Sequence, residues 1–239
     1  METLTSENAF ENNFERFEVD SRIKYPCYKS FDEFVNVERL RSLDGYLIEG
    51  IRRHIETQRE DFFLNLHRLE KDTPYQPGVR EIWLSRTKPE LPLEYLDAVD
   101  ETDLWERTEA ADSFALLMDF IETLPFAAIG RMLIIYDDAG KIVPAHRDHL
   151  EKDVCNEFVW FRTNFKKPLY FLNDLTGEKK YVEGHTAWFD AVNQYHGSDG
   201  SDGLSFSIRV DGKFTDEFRR KIPQPEFNLA SAPALWACI

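Results

Sequence analysis

The tripeptide His146-Arg147-Asp148 places an imidazole and a carboxylate two residues apart. On an extended chain, residues i and i+2 point to the same side, so both side chains can reach one ion. A third ligand must come from elsewhere, and His185 and His196 are the candidates. Two imidazoles and one carboxylate on one face of an octahedral ion leave three positions open, the arrangement of a non-haem Fe(II) oxygenase. Those positions suit two oxygens of 2-oxoglutarate and then O2. A His and an Asp at this spacing recur by chance. Here the pair follows a β-like run containing Pro144, and a His and then an Arg lie downstream.

His196 is the preferred third ligand. It follows the run TAWFDAV (186–192) and opens the polar loop GSDGSDG (197–203), so it is read as a strand-end residue aimed into a barrel mouth. His185 precedes the same run and would lie near its opposite end. Beyond the loop, LSFSIRV (204–210) alternates. Phe206, Ile208 and Val210 share one face, and Ser205, Ser207 and Arg209 share the other. Two hydroxyls and a guanidinium on one side suit a buried carboxylate, so Arg209 and Ser207 are expected to hold the distal carboxylate of 2-oxoglutarate. In EFVWFRTN (157–164), Trp160, Arg162 and Asn164 share a face. Arg162 is there a second anchor, for a substrate carboxylate.

These residues need strands to carry them. From about Ala127, short β-like runs succeed one another: IGRMLIIY (129–136), KIVPAH (141–146), EFVWFRTN, PLYFLN (168–173), TAWFDAV and LSFSIRV. Turn signals at 137–140 and 175–178 separate some of them. Several short strands in about 85 residues indicate a sandwich or barrel. The first part reads as mainly helical. DGYLIEGIRRHIETQREDFF (44–63) has an apolar stripe at Leu47, Ile48, Ile51 and Ile55, with Asp44 as its N-cap. ADSFALLMDFIETL (111–124) has Phe114, Leu117, Met118 and Ile121 on one face and Pro125 beyond its end. One short strand is expected over 80–85 among prolines. The expected fold is α+β: a double-stranded β-helix, or jelly roll, buttressed by N-terminal helices. A single domain comprises helical support (1–126), jelly-roll core with the metal site (127–215) and a C-terminal tail (216–239).

Composition limits the function classes. A net charge of -15 over 239 residues repels phosphate backbones, which argues against nucleic acid. Nineteen Phe, nine Tyr and five Trp suit a β-rich core. Cys27, Cys155 and Cys238 are odd in number and far apart, against a disulfide framework or thiolate zinc site. The acidic N-terminus lacks a signal-peptide core, and no apolar run reaches transmembrane length. The expectation is a cytoplasmic protein without a membrane partner.

The pieces VPAHRDHLE (143–151), FRTN (161–164) and TAWFDAVNQYHGS (186–198), in that order, resemble the aspartyl/asparaginyl β-hydroxylase-like branch of the Fe(II)/2-oxoglutarate oxygenases, which includes bacterial proline cis-hydroxylases. The likeness runs from about Gly130 to Asp211. It implies a double-stranded β-helix, Fe(II) on His146, Asp148 and His196, and 2-oxoglutarate on Arg209. In that branch the internal strand reads Arg-x-His, the Arg meeting substrate and the His helping to hold the cosubstrate. Arg162 and Asn164 stand at those positions, and Asn164 departs from the pattern. The spacing from His196 to Arg209 is also longer than in that branch. The expected activity is hydroxylation of a small substrate, a free amino acid or similar carboxylate, coupled to oxidation of 2-oxoglutarate to succinate. The rival readings are a non-enzymatic jelly-roll binding module, a metal enzyme without 2-oxoglutarate, and a peptide or protein hydroxylase.

Overall fold

The structure, a computed structural model, describes residues 23–24, 28–57, 80–88, 102–137, 139–148, 157–173, 176–189, 191, 194–221 and 226–227. The three cysteines, the acidic N-terminal segment and parts of both expected turns (Asp138 and Leu175) lie outside the described residues.

Two antiparallel sheets build the core. The larger holds β2 (Tyr28–Ser30), β11 (Thr186–Phe189), β8 (Phe158–Phe161), β13 (Ser205–Phe214), β6 (Phe126–Asp137) and β3 (Arg80–Trp83), in that spatial order. The smaller runs β10 (Lys179–Tyr181), β9 (Leu169–Leu172), β12 (Tyr195–Ser198) and β7 (Val143–His146). From β6 to β13 the chain steps back and forth between the sheets, leaving only β9 and β10 as consecutive neighbours in one. That winding is a jelly roll, and the expected α+β class holds. Two small ribbons flank it: β4 (Ser85–Thr87) with β5 (Trp105–Arg107), and β1 (Ile23–Lys24) with β14 (Glu226–Phe227).

Alternation along the strands decides what lies inside. Ile208 pairs with both Ile134 and Phe161, and Val210 with both Met132 and Val159. These six join one buried cluster with Leu47, Ile51, Phe114, Leu117, Phe120 and Ile121 from the helices. Each such side chain contributes about 1.5–3 kcal/mol through removal from water. The other face of β13, turned into the barrel, carries Ser205, Ser207, Arg209 and Asp211, all buried.

The helices differ from expectation in their ends. Asn36 caps α1 (Val37–Ser42) through a bond from the Arg39 N–H, and Asp44 is the first residue of α2 (Asp44–Thr57) instead of its cap. The second expected helix is two: α3 (Glu109–Ser113) and α4 (Ala115–Ile121), broken at Phe114, whose ψ of 38° is not helical. A Cβ on Gly50 of α2 would stand 2.6 Å from the Phe114 ring, so a glycine lets α2 and this corner meet. The first part of the chain supplies β3, within the strand expected over 80–85, and also β2, which was not expected, to the larger sheet. After β13, Thr215 caps the short α5 (Asp216–Arg219), and the tail then returns β14 to pair with β1. Among the described residues, no helix is long and apolar enough to cross a membrane.

Candidate metal and carboxylate-binding site

His146 ends β7, and His196 lies opposite it on β12 as a direct register pair. His196 is thus inside a strand of its own; the sequence reading missed β12 and took this residue for the end of the preceding strand, opening a loop. A short strand reading Tyr-His-Gly-Ser has too few apolar residues to announce itself. Asp148 follows β7 by two residues, its N–H donating to the Ala191 carbonyl at 2.8 Å. Ligand atoms of His146, Asp148 and His196 all lie within 4.8 Å of one another. The Asp148 Oδ1 stands 3.4 Å from Nε2 of His196 and 3.7 Å from Nε2 of His146.

Backbone carbonyls orient both imidazoles. His146 Nδ1 donates to the Pro144 carbonyl at 2.9 Å, and His196 Nδ1 to the Gln194 carbonyl at 3.1 Å. A carbonyl only accepts, so Nδ1 carries the proton in each ring and the Nε2 lone pair faces the centre. Burial lowers His146 to about 4, the neighbouring His196 adds to this, and the Asp148 charge opposes it. Burial alone would push Asp148 up. Arg209 first, then His196, overrule it and hold the carboxyl well below its ordinary value. A neutral His146 beside an ionised Asp148 gives the protonation states in which these two groups bind a cation.

His185 takes no part. Its Nδ1 donates to the Arg162 carbonyl at 3.0 Å, and its backbone N–H donates to Asp32. It precedes β11, as the sequence indicated, and stands outside the cluster.

Two expected contacts are corrected. Arg162, assigned to a substrate carboxylate, donates instead to the carbonyls of Gly184 (Nε, 3.2 Å; Nη2, 3.0 Å), Lys167 (2.9 Å) and Val182 (2.5 Å). Its guanidinium also lies 4.4 Å from the Phe165 ring centroid. The chain turns away from β8 after Phe161, so strand alternation no longer governs residue 162. Asn164, assigned to the cosubstrate, donates to Asp44 Oδ1 at 2.5 Å and accepts from the Lys166 N–H. Together with Thr163 it fastens this turn to the start of α2.

Arg209 does point into the barrel, but its first partners are acids. Nη1 donates to Asp148 Oδ2 at 2.6 Å and Nε to Asp211 Oδ1 at 3.0 Å, while the Phe158 ring lies 4.2 Å from the guanidinium carbon. Burial weakens its hold on the proton, but Asp211 and then Asp148 raise it above an ordinary guanidinium. Nη2 of Arg209 is buried without a hydrogen-bond partner, as are Oγ of Ser207 and Oγ of Ser198. Such orphans are costly unless a ligand meets them. Two residues along a strand are about 6.6 Å. The register therefore sets Ser207 one such step along β13 from Arg209, while Ser198 follows His196 across the irregularity at Gly197.

Three further charged groups escaped the sequence reading. Asp211 could have been found by continuing the Ser205–Ser207–Arg209 alternation one step. Lys167 and Asp137, paired at 2.5 Å and both buried, carry no sequence signal, since the strand after Lys167 begins at Leu169. Among the described ion pairs lining the barrel, three cations (Arg131, Arg209, Lys167) face three carboxylates (Asp211, Asp148, Asp137). Burial pushes Glu81 up against the charge of Arg131, favouring its neutral form. A divalent metal added to this balanced set brings two charges that a dianion would offset.

No protein-family model matches the sequence, and no curated protein does. Among solved structures, the chain is similar to a prolyl-4-hydroxylase from Pseudomonas putida, with 12% identity, a TM-score of 0.41, and 80% of this chain and 94% of that one covered. It is also similar to a prolyl hydroxylase from Trichoplax adhaerens in complex with a hypoxia inducible factor peptide fragment (11% identity, TM-score 0.40, 91% and 96% covered). A third is the viral collagen prolyl hydroxylase of Paramecium Bursaria Chlorella virus-1, in a 2-oxoglutarate complex (10% identity, TM-score 0.38, 77% and 94% covered).

Proposed function

We propose that this protein is an Fe(II)- and 2-oxoglutarate-dependent dioxygenase that hydroxylates a small amino-acid-like substrate. The observation that carries this reading is the convergence of two Nε2 atoms and one carboxylate oxygen at the β7–β12 ladder of a jelly roll. His146, Asp148 and His196 would hold the metal through one atom each and leave three positions free. Ser207 Oγ and Arg209 Nη2, buried and unpartnered, are donors that a carboxylate of the cosubstrate would satisfy, and the balance of buried charges favours a dianion beside a divalent metal. Metal, 2-oxoglutarate and O2 together supply the oxidising power for an unactivated C–H bond. The chain's own residues position these groups, and Phe189, packed on His196 and backed by Phe158 and Phe171, would help to exclude water.

The substrate class follows from the sequence resemblance alone, because Arg162 is spent on backbone carbonyls. The test is succinate formation by protein supplied with Fe(II), 2-oxoglutarate and O2, across a panel of free amino acids and short peptides, with products identified by mass. Substrate-stimulated succinate with an oxygen added to a free amino acid is the expected result. Stimulation by peptides alone would correct the substrate class. No Fe(II)-dependent turnover, with retained binding of a small ligand, would favour a binding module.

A further inference from the structure

The two oxygens of Asp148 have separate partners. Oδ1 faces the two imidazoles at 3.4 and 3.7 Å, while Oδ2 accepts from Arg209 Nη1 at 2.6 Å. Arg209 is itself held: Nε donates to Asp211 Oδ1 at 3.0 Å, and the Phe158 ring covers the guanidinium. Asp211, fully buried, accepts from Arg131 Nε at 3.0 Å on its other oxygen. The chain Arg131–Asp211–Arg209–Asp148 thus runs from the partly exposed end of one guanidinium to the candidate metal ligand, each link a charge-assisted hydrogen bond.

We infer that Asp211, acting through Arg209, is a positioning residue that keeps Asp148 a one-oxygen ligand. The inference rests on the metal reading above. Its consequence is a matter of counting. Two imidazoles and one oxygen occupy three of six octahedral positions, enough to leave room for a two-oxygen cosubstrate and O2. A carboxylate free to rotate and bind through both oxygens would occupy a fourth and leave room for only one of the two. Arg209 prevents this by occupying Oδ2, and Asp211 fixes the guanidinium plane so that Nη1 stays aimed there. A lone arginine in a barrel could swing toward the anion; one gripped at Nε cannot.

The test uses Co(II) and the full-length, metal-free chain. Asp211→Asn keeps the side-chain shape but removes the charge that holds Arg209. We expect its Co(II) dissociation constant to rise about 10- to 100-fold, the range for loss of a partner behind a metal ligand. The visible absorption bands of the Co(II)-saturated protein should also shift, because the ligand set around the ion changes. Arg209→Lys, which keeps the charge but lacks a planar fork able to serve both acids, should change the same bands. It covers the case in which Asp211→Asn does not fold. Ile208→Val, on the opposite face of the same strand, should lower the melting temperature and leave the bands alone. Native Co(II) affinity and native bands in both Asp211→Asn and Arg209→Lys would overturn the inference and leave the metal reading standing. Absence of Co(II) and Fe(II) binding by the native protein would overturn both.

Discussion

His196 and His146 are direct partners across the β12–β7 ladder, with ring centroids 4.5 Å apart. The distance between the two imidazoles is therefore set by strand pairing and not by a loop. Just beyond His196 the register shifts before Ser198, and Gly197 occupies the irregularity. A Cβ there would come 2.6 Å from the Val143 carbonyl and 2.7 Å from the Tyr170 hydroxyl. Gly197→Ala is expected to push β12 from β7, destabilise the fold by about 1–3 kcal/mol, and weaken metal binding more than the stability loss alone explains. Metal titration of the folded variant checks this; native affinity would show that the ladder tolerates the shift.

Ser207 offers an effect of opposite signs. Its Oγ is buried without a partner, so Ser207→Ala removes an unsatisfied group and should leave the ligand-free protein as stable as native or slightly more so. If the hydroxyl meets the cosubstrate carboxylate, the same change removes a hydrogen bond to a charge, raising the 2-oxoglutarate KM about tenfold. Turnover at saturating 2-oxoglutarate should change little. Melting curves and 2-oxoglutarate titrations decide it, and an unchanged KM removes Ser207 from the carboxylate site.

Arg162 is expected to matter for folding and not for substrate choice. Arg162→Met leaves the carbonyls of Lys167, Val182 and Gly184 without their donor, at about 1–3 kcal/mol each. A loss of more than about 3 kcal/mol in denaturant unfolding is expected, with Arg162→Lys recovering only part because it lacks the planar fork. Native stability with a specific loss of substrate affinity would restore the substrate role.

The metal-free protein should weaken as the pH falls. His146 is lowered from 6.5 to about 4 by burial, then by His196. Between those values the unfolded chain binds the proton and the folded one does not, so stability rises with pH. The contribution is complete above about 6.5 and is lost progressively toward about 4. Asp148, held well below its ordinary value, adds a further loss at lower pH. Urea midpoints of the metal-free protein between about pH 7 and about pH 5 should fall, and His146→Gln should flatten the slope. An identical slope in that variant would assign the acid sensitivity elsewhere.

Much of the frame was legible because it depends on local pattern. Alternation in LSFSIRV assigned Ser205, Ser207 and Arg209 to one face, and the same period put His146 and Asp148 on one side. The six apolar runs became β6, β7, β8, β9, β11 and β13, although β8 stops at Phe161 and β13 runs on to Phe214. Period-2 order survives folding wherever a strand stays in its sheet. It failed at Arg162 and Asn164, where the chain leaves β8 and the side chains turn to carbonyls and to Asp44. It was silent about β12, too short and polar to be read as a strand. The partners of a charged side chain belong to the tertiary structure alone. Arg209 reads in sequence as an anion anchor, yet the fold brings it to Asp148, 61 residues away. Lys167 and Asp137 meet only because two sheets close around them. The amino-acid sequence determined which faces the polar groups occupy. Closure of the barrel decided which of them touch, because Coulombic and hydrogen-bond energies depend on distances that no local period encodes.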